Sequence, residues 1–181
     1  MRCSLPNHLN KKQGDLNMKQ KNTIKKVIRL SCVASLYVAL TLALSWISYG
    51  SIQFRVAEVL VLLCFFRKDY AFALILGCAI ANGFSTLGMI DVVFGTLATL
   101  IAVIGVMYSK NLIVASIFPV ISNAIIVGLE LTYVFNTPLW FNMISVGVGE
   151  MVVMAVGVTI FMMIKKNSYL LEIIDANQNI N

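Results

Sequence analysis

The sequence is poor in charged residues. Charged residues make up 12% of its 181 residues, about half the share of an average soluble domain, whereas 59% are hydrophobic. Such a chain has too few charged side chains for a water-exposed surface, which excludes a soluble globular protein. The length allows one membrane domain and little more.

The signatures of catalysis and of cofactor binding are absent. The single histidine, His8, lies in a polar tail, so a histidine-based active site is excluded. The sequence also lacks a GxxxxGK[ST] phosphate-binding loop, an HExxH zinc motif and a nucleophile beside a base. None of the four cysteines forms a CxxC pair, and Cys32, Cys64 and Cys78 are predicted to be small apolar fillers. We predict no enzyme activity, no cofactor and no metal site.

Long apolar runs dominate what is present. A bilayer core of about 30 Å requires roughly 20 helical residues. The predicted spans are residues 28–49, 52–66, 70–89, 91–109, 111–135 and 140–164, of which the second is short. The fold class is therefore an all-α polytopic membrane protein with six transmembrane helices. Its membrane domain covers residues 25–166, between a polar basic tail (1–24) and a polar C-terminal tail (167–181).

The distribution of basic residues predicts the orientation. With the lysine-rich N-terminus inside, Arg67, Lys68, Lys110 and the pair 165–166 all fall on the inner side. The outer loops then hold one basic residue, Arg55. Basic flanks orient membrane helices by remaining in the cytoplasm. Both termini are predicted to be cytoplasmic in a bacterial cell membrane, and the basic tail needs no nucleic-acid partner to explain it.

Charged residues inside the apolar runs are candidates for function, because a charge within a bilayer is costly unless it is paired or hydrated. Arg55 and Glu58 are three residues apart on one helical face, where they either pair with each other or clamp a ligand together with Gln53. Asp91 precedes the fourth helix, where it either caps the helix or contacts a ligand.

Two further glutamates lie deeper in the predicted helices. Glu130 is about one turn from the outer end of the fifth helix, and it either snorkels or forms a polar stripe with Asn123. Glu150 is about 15 Å along the sixth helix, too deep for a short side chain to reach water. We expect Glu150 to be neutral, paired or facing a cavity.

Small residues form two stripes with a spacing of four. The first is Ser35, Ala39 and Ala43, and the second is Ala73, Gly77 and Ala81. Such stripes let helices approach closely. Packing within the bundle and docking of a partner membrane subunit are both open alternatives.

Three segments resemble the queuosine-precursor transporter (QueT) family: residues 52–58 (IQFRVAE), 77–82 (GCAIAN) and 91–100 (DVVFGTLATL). The resemblance covers most of residues 25–166. Its members are substrate-binding S components of energy-coupling factor (ECF) transporters. The resemblance implies uptake of a 7-deazaguanine such as preQ1, preQ0 or queuine, with an ECF transmembrane coupling subunit and two ATPase subunits as partners.

The resemblance also implies that the coupling subunit docks on Ser35, Ala39 and Ala43. The binding residues follow instead from the chemistry of a guanine-like edge, which needs acceptors for its N–H groups and a donor for its carbonyl oxygen. The predicted substrate-binding residues are Gln53, Arg55, Glu58, Asn82, Asp91, Asn123, Glu130, Trp140 and Glu150, with Trp140 stacking on the ring. The alternative function is a stand-alone proton-coupled secondary transporter of a small polar solute, with Glu150 as its proton site.

Overall fold

The computed structural model of the chain describes residues 7–48 and 54–174, and all regular structure in these ranges is helical. The α-helices are α1 (Asn7–Ala43), α2 (Ser45–Ser48), α3 (Leu63–Phe66), α4 (Tyr70–Asn82), α5 (Met89–Tyr108), α6 (Leu112–Phe135), α7 (Leu139–Lys166) and α8 (Ser168–Ile173). A 3₁₀ segment, Val56–Leu62, leads directly into α3.

Four helices are long and apolar enough to cross a membrane. They are Met18–Ala43 within α1, and the whole of α5, α6 and α7. This confirms a multi-pass membrane protein. The 3₁₀ segment with α3 (Val56–Phe66) and α4 (Tyr70–Asn82) are apolar but shorter than a regular span needs. The count of six spans and the cytoplasmic position of both termini remain predictions.

Several predicted helix ends are wrong by a few residues, for local reasons. The third run was expected to reach residue 89, but α4 ends at Asn82. A turn follows, in which Gly88 has a φ of +59°, a value that favours glycine. At the other end of the chain, α1 begins at Asn7, inside the polar tail, so the helix extends well beyond the predicted span.

The distribution of polarity is the reverse of that in a soluble protein. Phe72, Ile144 and Met163 are large apolar side chains on the surface. In contrast, a set of charged and amide side chains is buried in the interior beside the apolar core. An outer surface of this kind matches lipid, since lipid tails are as apolar as the side chains that face them.

The 3₁₀ segment occupies the centre of the helical bundle. It contacts α1, α4, α5, α6 and α7, and Val61 and Leu62 within it are fully buried. At Gly157 of α7, an added Cβ would lie 3.1 Å from Leu62 Cδ1, so glycine permits the close approach of the segment to α7. The segment thus places its one polar residue, Glu58, in the interior of the bundle.

Candidate functional site

A buried ion pair joins the 3₁₀ segment to α5. Arg55, immediately before the segment, donates from Nη2 to Asp91 Oδ1 at 2.9 Å and to Asn82 Oδ1 at 3.2 Å. Arg55 and Asp91 are 4% and 3% exposed. Two of the structural alternatives are therefore wrong. Arg55 pairs with Asp91 rather than Glu58, and Asp91 is the third residue of α5, whose N-cap is Gly88.

Asn82 and Gly95 fix the geometry around this pair. The Asn82 amide donates to the Asp91 carbonyl oxygen at 3.2 Å, which ties the end of α4 to the start of α5. A Cβ added to Gly95 would collide with the Asn82 amide nitrogen and lie 3.1 Å from Arg55 Nη2. Glycine is needed at residue 95 because the guanidinium and the amide lie directly against the backbone of α5.

One oxygen of Glu58 is fixed and the other is free. Tyr37 of α1 donates to Glu58 Oε1 at 2.7 Å, and Thr99 of α5 donates to the same oxygen at 3.1 Å. Glu58 Oε2 is buried and has no hydrogen-bond partner in the part of the chain that the structure describes. The carboxyl is thus held in one orientation with a single oxygen available to another group.

Tyr37 and Thr99 were not among the predicted site residues. Thr99 lies eight residues after Asp91, on the same face of α5, so its helical spacing was a usable signal. Tyr37 lies within an apolar run and had no such signal. Cys78 was predicted to be an apolar filler. It is fully buried, but its sulfur accepts from Asn82 Nδ2 at 3.3 Å and therefore contacts the polar side chains of the interior.

Glu130, Glu150 and Asn123 are buried with their polar atoms unused. Each is at most 1% exposed. None of their side-chain oxygens or nitrogens has a hydrogen-bond partner within residues 54–174 or the described part of α1. Snorkelling of Glu130 is therefore wrong. Asn123 lies beside the Glu150 carboxyl without the geometry of a hydrogen bond.

These residues form one electrostatic unit, which we call the polar cluster. It consists of Arg55, Glu58, Asn82, Asp91, Asn123, Glu130 and Glu150, together with Tyr37 and Thr99. Arg55 interacts electrostatically with both Glu130 and Glu150 as well as with Asp91. In the described ranges, no three acidic, cysteine or histidine side chains lie close enough to hold a metal ion.

The polar cluster has an excess of acid. Its one guanidinium is paired with Asp91, which leaves the carboxyls of Glu58, Glu130 and Glu150. Five of their oxygens, together with Arg55 Nη1, have no partner among the described residues. An unsatisfied buried polar atom costs about 1–3 kcal/mol. A group of such atoms on several helices is the arrangement that a ligand rich in hydrogen-bond donors would satisfy.

Two predicted binding residues are not part of this cluster as the structure describes it. Trp140, at the start of α7, is 66% exposed and contacts the Phe141 ring edge-to-face. Gln53 lies outside the described residues. Stacking of Trp140 on a ligand therefore has no support from its position.

The two small-residue stripes have different environments. The α4 stripe is buried, and a Cβ added to Gly77 would lie 3.0 Å from the Ala34 carbonyl oxygen of α1. For this stripe, packing within the bundle is the correct alternative. The α1 stripe, Ser35, Ala39 and Ala43, is exposed.

Comparison with known proteins gives a consistent result. The family described as QueT transporter matches residues 27–166. The chain is 34% identical over 155 residues to the queuosine precursor transporter QueT of Lactococcus lactis subsp. cremoris (strain MG1363). The match covers 76% of this chain and 90% of that protein. No solved structure matches significantly.

Breaking the buried ion pair is expected to destabilise the protein strongly. Asp91→Asn removes the one carboxylate that is hydrogen-bonded to the buried Arg55 guanidinium in the described part of the chain, and loss of one partner of a buried ion pair typically costs about 3–5 kcal/mol. Thermal unfolding in detergent, without ligand, measures the effect. Asp69→Asn is the matched control, because Asp69 forms ion pairs with Lys26 and Arg67 that are partly exposed, and exposed pairs contribute about 0–1 kcal/mol.

A double variant separates pairing from general disruption. We expect Arg55→Gln with Asp91→Asn to lose clearly less stability than the sum of the two single changes, because neither member of the pair is then left without the other. Additive losses, or equal losses in the Asp91→Asn and Asp69→Asn variants, would show that the pair is not an important structural element.

Proposed function

The chain belongs to the QueT transporter family, and on this premise we propose that it is the S component of an ECF-type transporter for a queuosine precursor, a 7-deazaguanine. Substrate is bound from outside, and partner subunits hydrolyse ATP. The observation that carries the proposal is the polar cluster. It places inside an otherwise apolar protein one guanidinium nitrogen and three carboxyls whose polar atoms are not all satisfied within residues 7–48 and 54–174.

The hydrogen-bonding edge of a 7-deazaguanine fits this set of groups. The ring presents two adjacent N–H donors, which one carboxylate accepts as a pair, and a neighbouring carbonyl oxygen that needs a donor. Among the described residues, neither oxygen of Glu130 or of Glu150 has a hydrogen-bond partner, and Arg55 Nη1 is a donor without one. One of these two glutamates, together with Arg55, would therefore bind the hydrogen-bonding edge of the ring.

The remaining acids favour a positively charged substrate. After Glu130 or Glu150 has bound the ring, the other of these two glutamates still has no donor among the described residues, and Glu58 Oε2 has none either. A neutral substituent supplies no compensating charge for these acids, whereas a protonated amine supplies two or three N–H donors together with a positive charge. We therefore propose that the preferred queuosine precursor carries an amine, as preQ1 and queuine do, and is not neutral like preQ0.

The finer topology is part of the same proposal. In this topology, residues 56–66 and α4 complete six membrane-crossing segments, and both termini are cytoplasmic. The basic residues at 67–68, 110 and 165–166 support it, since they then lie on the inner side with the lysine-rich start of α1. The Arg55 end of the 3₁₀ segment lies towards the outside.

The exposed stripe of α1 supports docking of a coupling subunit. Ser35, Ala39 and Ala43 lie on the surface of a membrane helix, where small side chains allow another helix to approach closely. A neighbouring residue of the same helix, Tyr37, faces inward and holds Glu58 in the polar cluster. One rigid helix would thus connect the ligand site with the docked partner. ATPase partners are needed, because the sequence has no phosphate-binding loop of its own.

A proton-coupled secondary transporter is the second candidate. The buried Glu150 carboxyl, which has no hydrogen-bond partner in the described part of the chain, is the observation in its favour. An acid of this kind could exchange a proton during transport. The absence of a visible internal repeat argues against it, since many secondary transporters are built from two repeats.

Binding selectivity tests the proposed substrate. We expect purified protein to bind preQ1 at least about tenfold more tightly than its neutral near-isostere 7-hydroxymethyl-7-deazaguanine, a difference of about 1.4 kcal/mol. We expect one of the two single variants, Glu130→Gln or Glu150→Gln, to lose most of this preference for preQ1, because one of these acids faces the amine. Calorimetry in detergent measures both affinities. Glu172→Gln is the control, an exposed acid on α8 outside the polar cluster.

Two different negative results would contradict different parts of the proposal. Equal affinity for both ligands would contradict selection by charge while leaving the deazaguanine assignment intact. Binding of neither ligand would contradict the substrate assignment itself.

Docking is tested by separating binding from uptake. Ala39→Phe places a large ring on the exposed stripe, so we expect unchanged ligand affinity but at least about tenfold slower uptake in cells that contain the partner subunits. The matched control is Ala155→Phe, an exposed alanine on α7. Normal uptake by the Ala39→Phe variant, with loss of uptake when a protonophore is added, would instead favour the secondary transporter.

A further inference from the structure

A pocket lined by basic side chains lies beside the first half of α1. We call it the basic pocket. Its charged lining consists of Lys19, Lys25, Lys26, Arg29, Arg67 and one acid, Glu172. The volume is about 700 Å³, within the range of small-ligand sites. The lining therefore has a clear excess of positive charge.

Two of these basic side chains are held in place by Asp69. Lys26 Nζ lies 2.8 Å from Asp69 Oδ1, and Arg67 Nη2 lies 2.9 Å from Asp69 Oδ2. The hydrogen bond from Lys26 and then that from Arg67 hold the pKa of the Asp69 carboxyl below its usual value. The Arg29 guanidinium lies over the Tyr70 ring, 5.7 Å from its centre. Three basic side chains of the pocket therefore have defined contacts that fix their positions.

An apolar groove lies further along the same helix. It runs between α1 and α4, with a volume of about 560 Å³. Its lining includes Val27, Leu30, Val38, Phe72, Leu76 and Ile80. Lys26 of the basic pocket and Leu30 of the groove are four residues apart on α1, so the two linings are neighbours on that helix. The helix thus carries a cationic pocket with an apolar groove next to it.

We propose that this surface binds an anionic phospholipid, with the headgroup phosphate in the basic pocket and an acyl chain in the apolar groove. Lysine and arginine are the usual phosphate-binding residues, and basic pockets between membrane helices bind anionic headgroups. Charge complementarity therefore selects the headgroup. The groove selects a molecule with an apolar tail, which a free phosphate ion lacks.

The site does not depend on the identity of the transported substrate. It has one consequence for the proposed transport cycle, because Ser35 and Ala39 also line the groove. The acyl chain and a coupling subunit docked on the α1 stripe would exclude each other there. The lipid would therefore occupy the docking surface only while no coupling subunit is bound to this protein.

Native mass spectrometry of the full chain tests the lipid site. Delipidated protein is incubated with equal amounts of phosphatidylglycerol and phosphatidylcholine that have the same acyl chains. We expect one phosphatidylglycerol to be retained at least about fivefold more often than phosphatidylcholine, as expected from one well-placed basic contact. Lys19→Gln with Lys25→Gln should bring the ratio close to one. These two lysines are exposed, and no ion pair among the described residues involves them.

The control is Lys165→Gln with Lys166→Gln, which removes the same charge at the end of α7, outside the basic pocket. We expect the wild-type ratio in this variant. Ala39→Phe, which fills the groove, should reduce retention of phosphatidylglycerol. Equal retention of both lipids by the wild type would overturn the proposal, as would an equal effect of the two lysine pairs. Displacement of the lipid by millimolar inorganic phosphate alone would show a simple anion site instead.

Discussion

The buried pair between Arg55 and Asp91 is the interaction on which the rest of the interior depends. It lies where the start of the 3₁₀ segment, the end of α4 and the start of α5 meet, with Asn82 and Gly95 packed around it. Two opposite charges in an apolar interior are tolerated when they are paired and hydrogen-bonded. Because Asp91 neutralises the guanidinium, the other three acids of the polar cluster are not compensated within the described chain. The pair therefore shapes the local fold and leaves the excess of acid on which the proposed preference for a cationic substrate rests.

The same cluster links the interior to the surface of the bundle. Tyr37 extends from α1 to Glu58, so the helix with the exposed small-residue stripe is hydrogen-bonded to the centre of the site. The middle of α1 carries the basic pocket. Ligand binding, docking of a coupling subunit and lipid binding are thus three proposed roles of surfaces on one helix.

Composition and periodicity were sufficient to predict a multi-pass helical protein, because few charges and long apolar runs leave little alternative. Charged residues in apolar runs were also easy to select, and five of them, at positions 55, 58, 91, 130 and 150, are buried together. The pairing of Arg55 with Asp91 was not predictable, since the partners are 36 residues apart and local rules assign Asp91 to a helix cap. Tyr37 and Thr99 were missed because neutral polar side chains are common in membrane helices. The early end of α4 and the turn after it, in which Gly88 has a positive φ, are features of local geometry that hydropathy does not detect.

The central claim is that the unpartnered groups of the polar cluster bind the substrate. An experimental structure with preQ1 bound tests this most directly. The account predicts that the deazaguanine ring lies within about 3 Å of Arg55 and of one glutamate, with the amine at a second glutamate of the cluster. A ligand bound elsewhere, with the carboxyls of Glu58, Glu130 and Glu150 all out of contact, would contradict it.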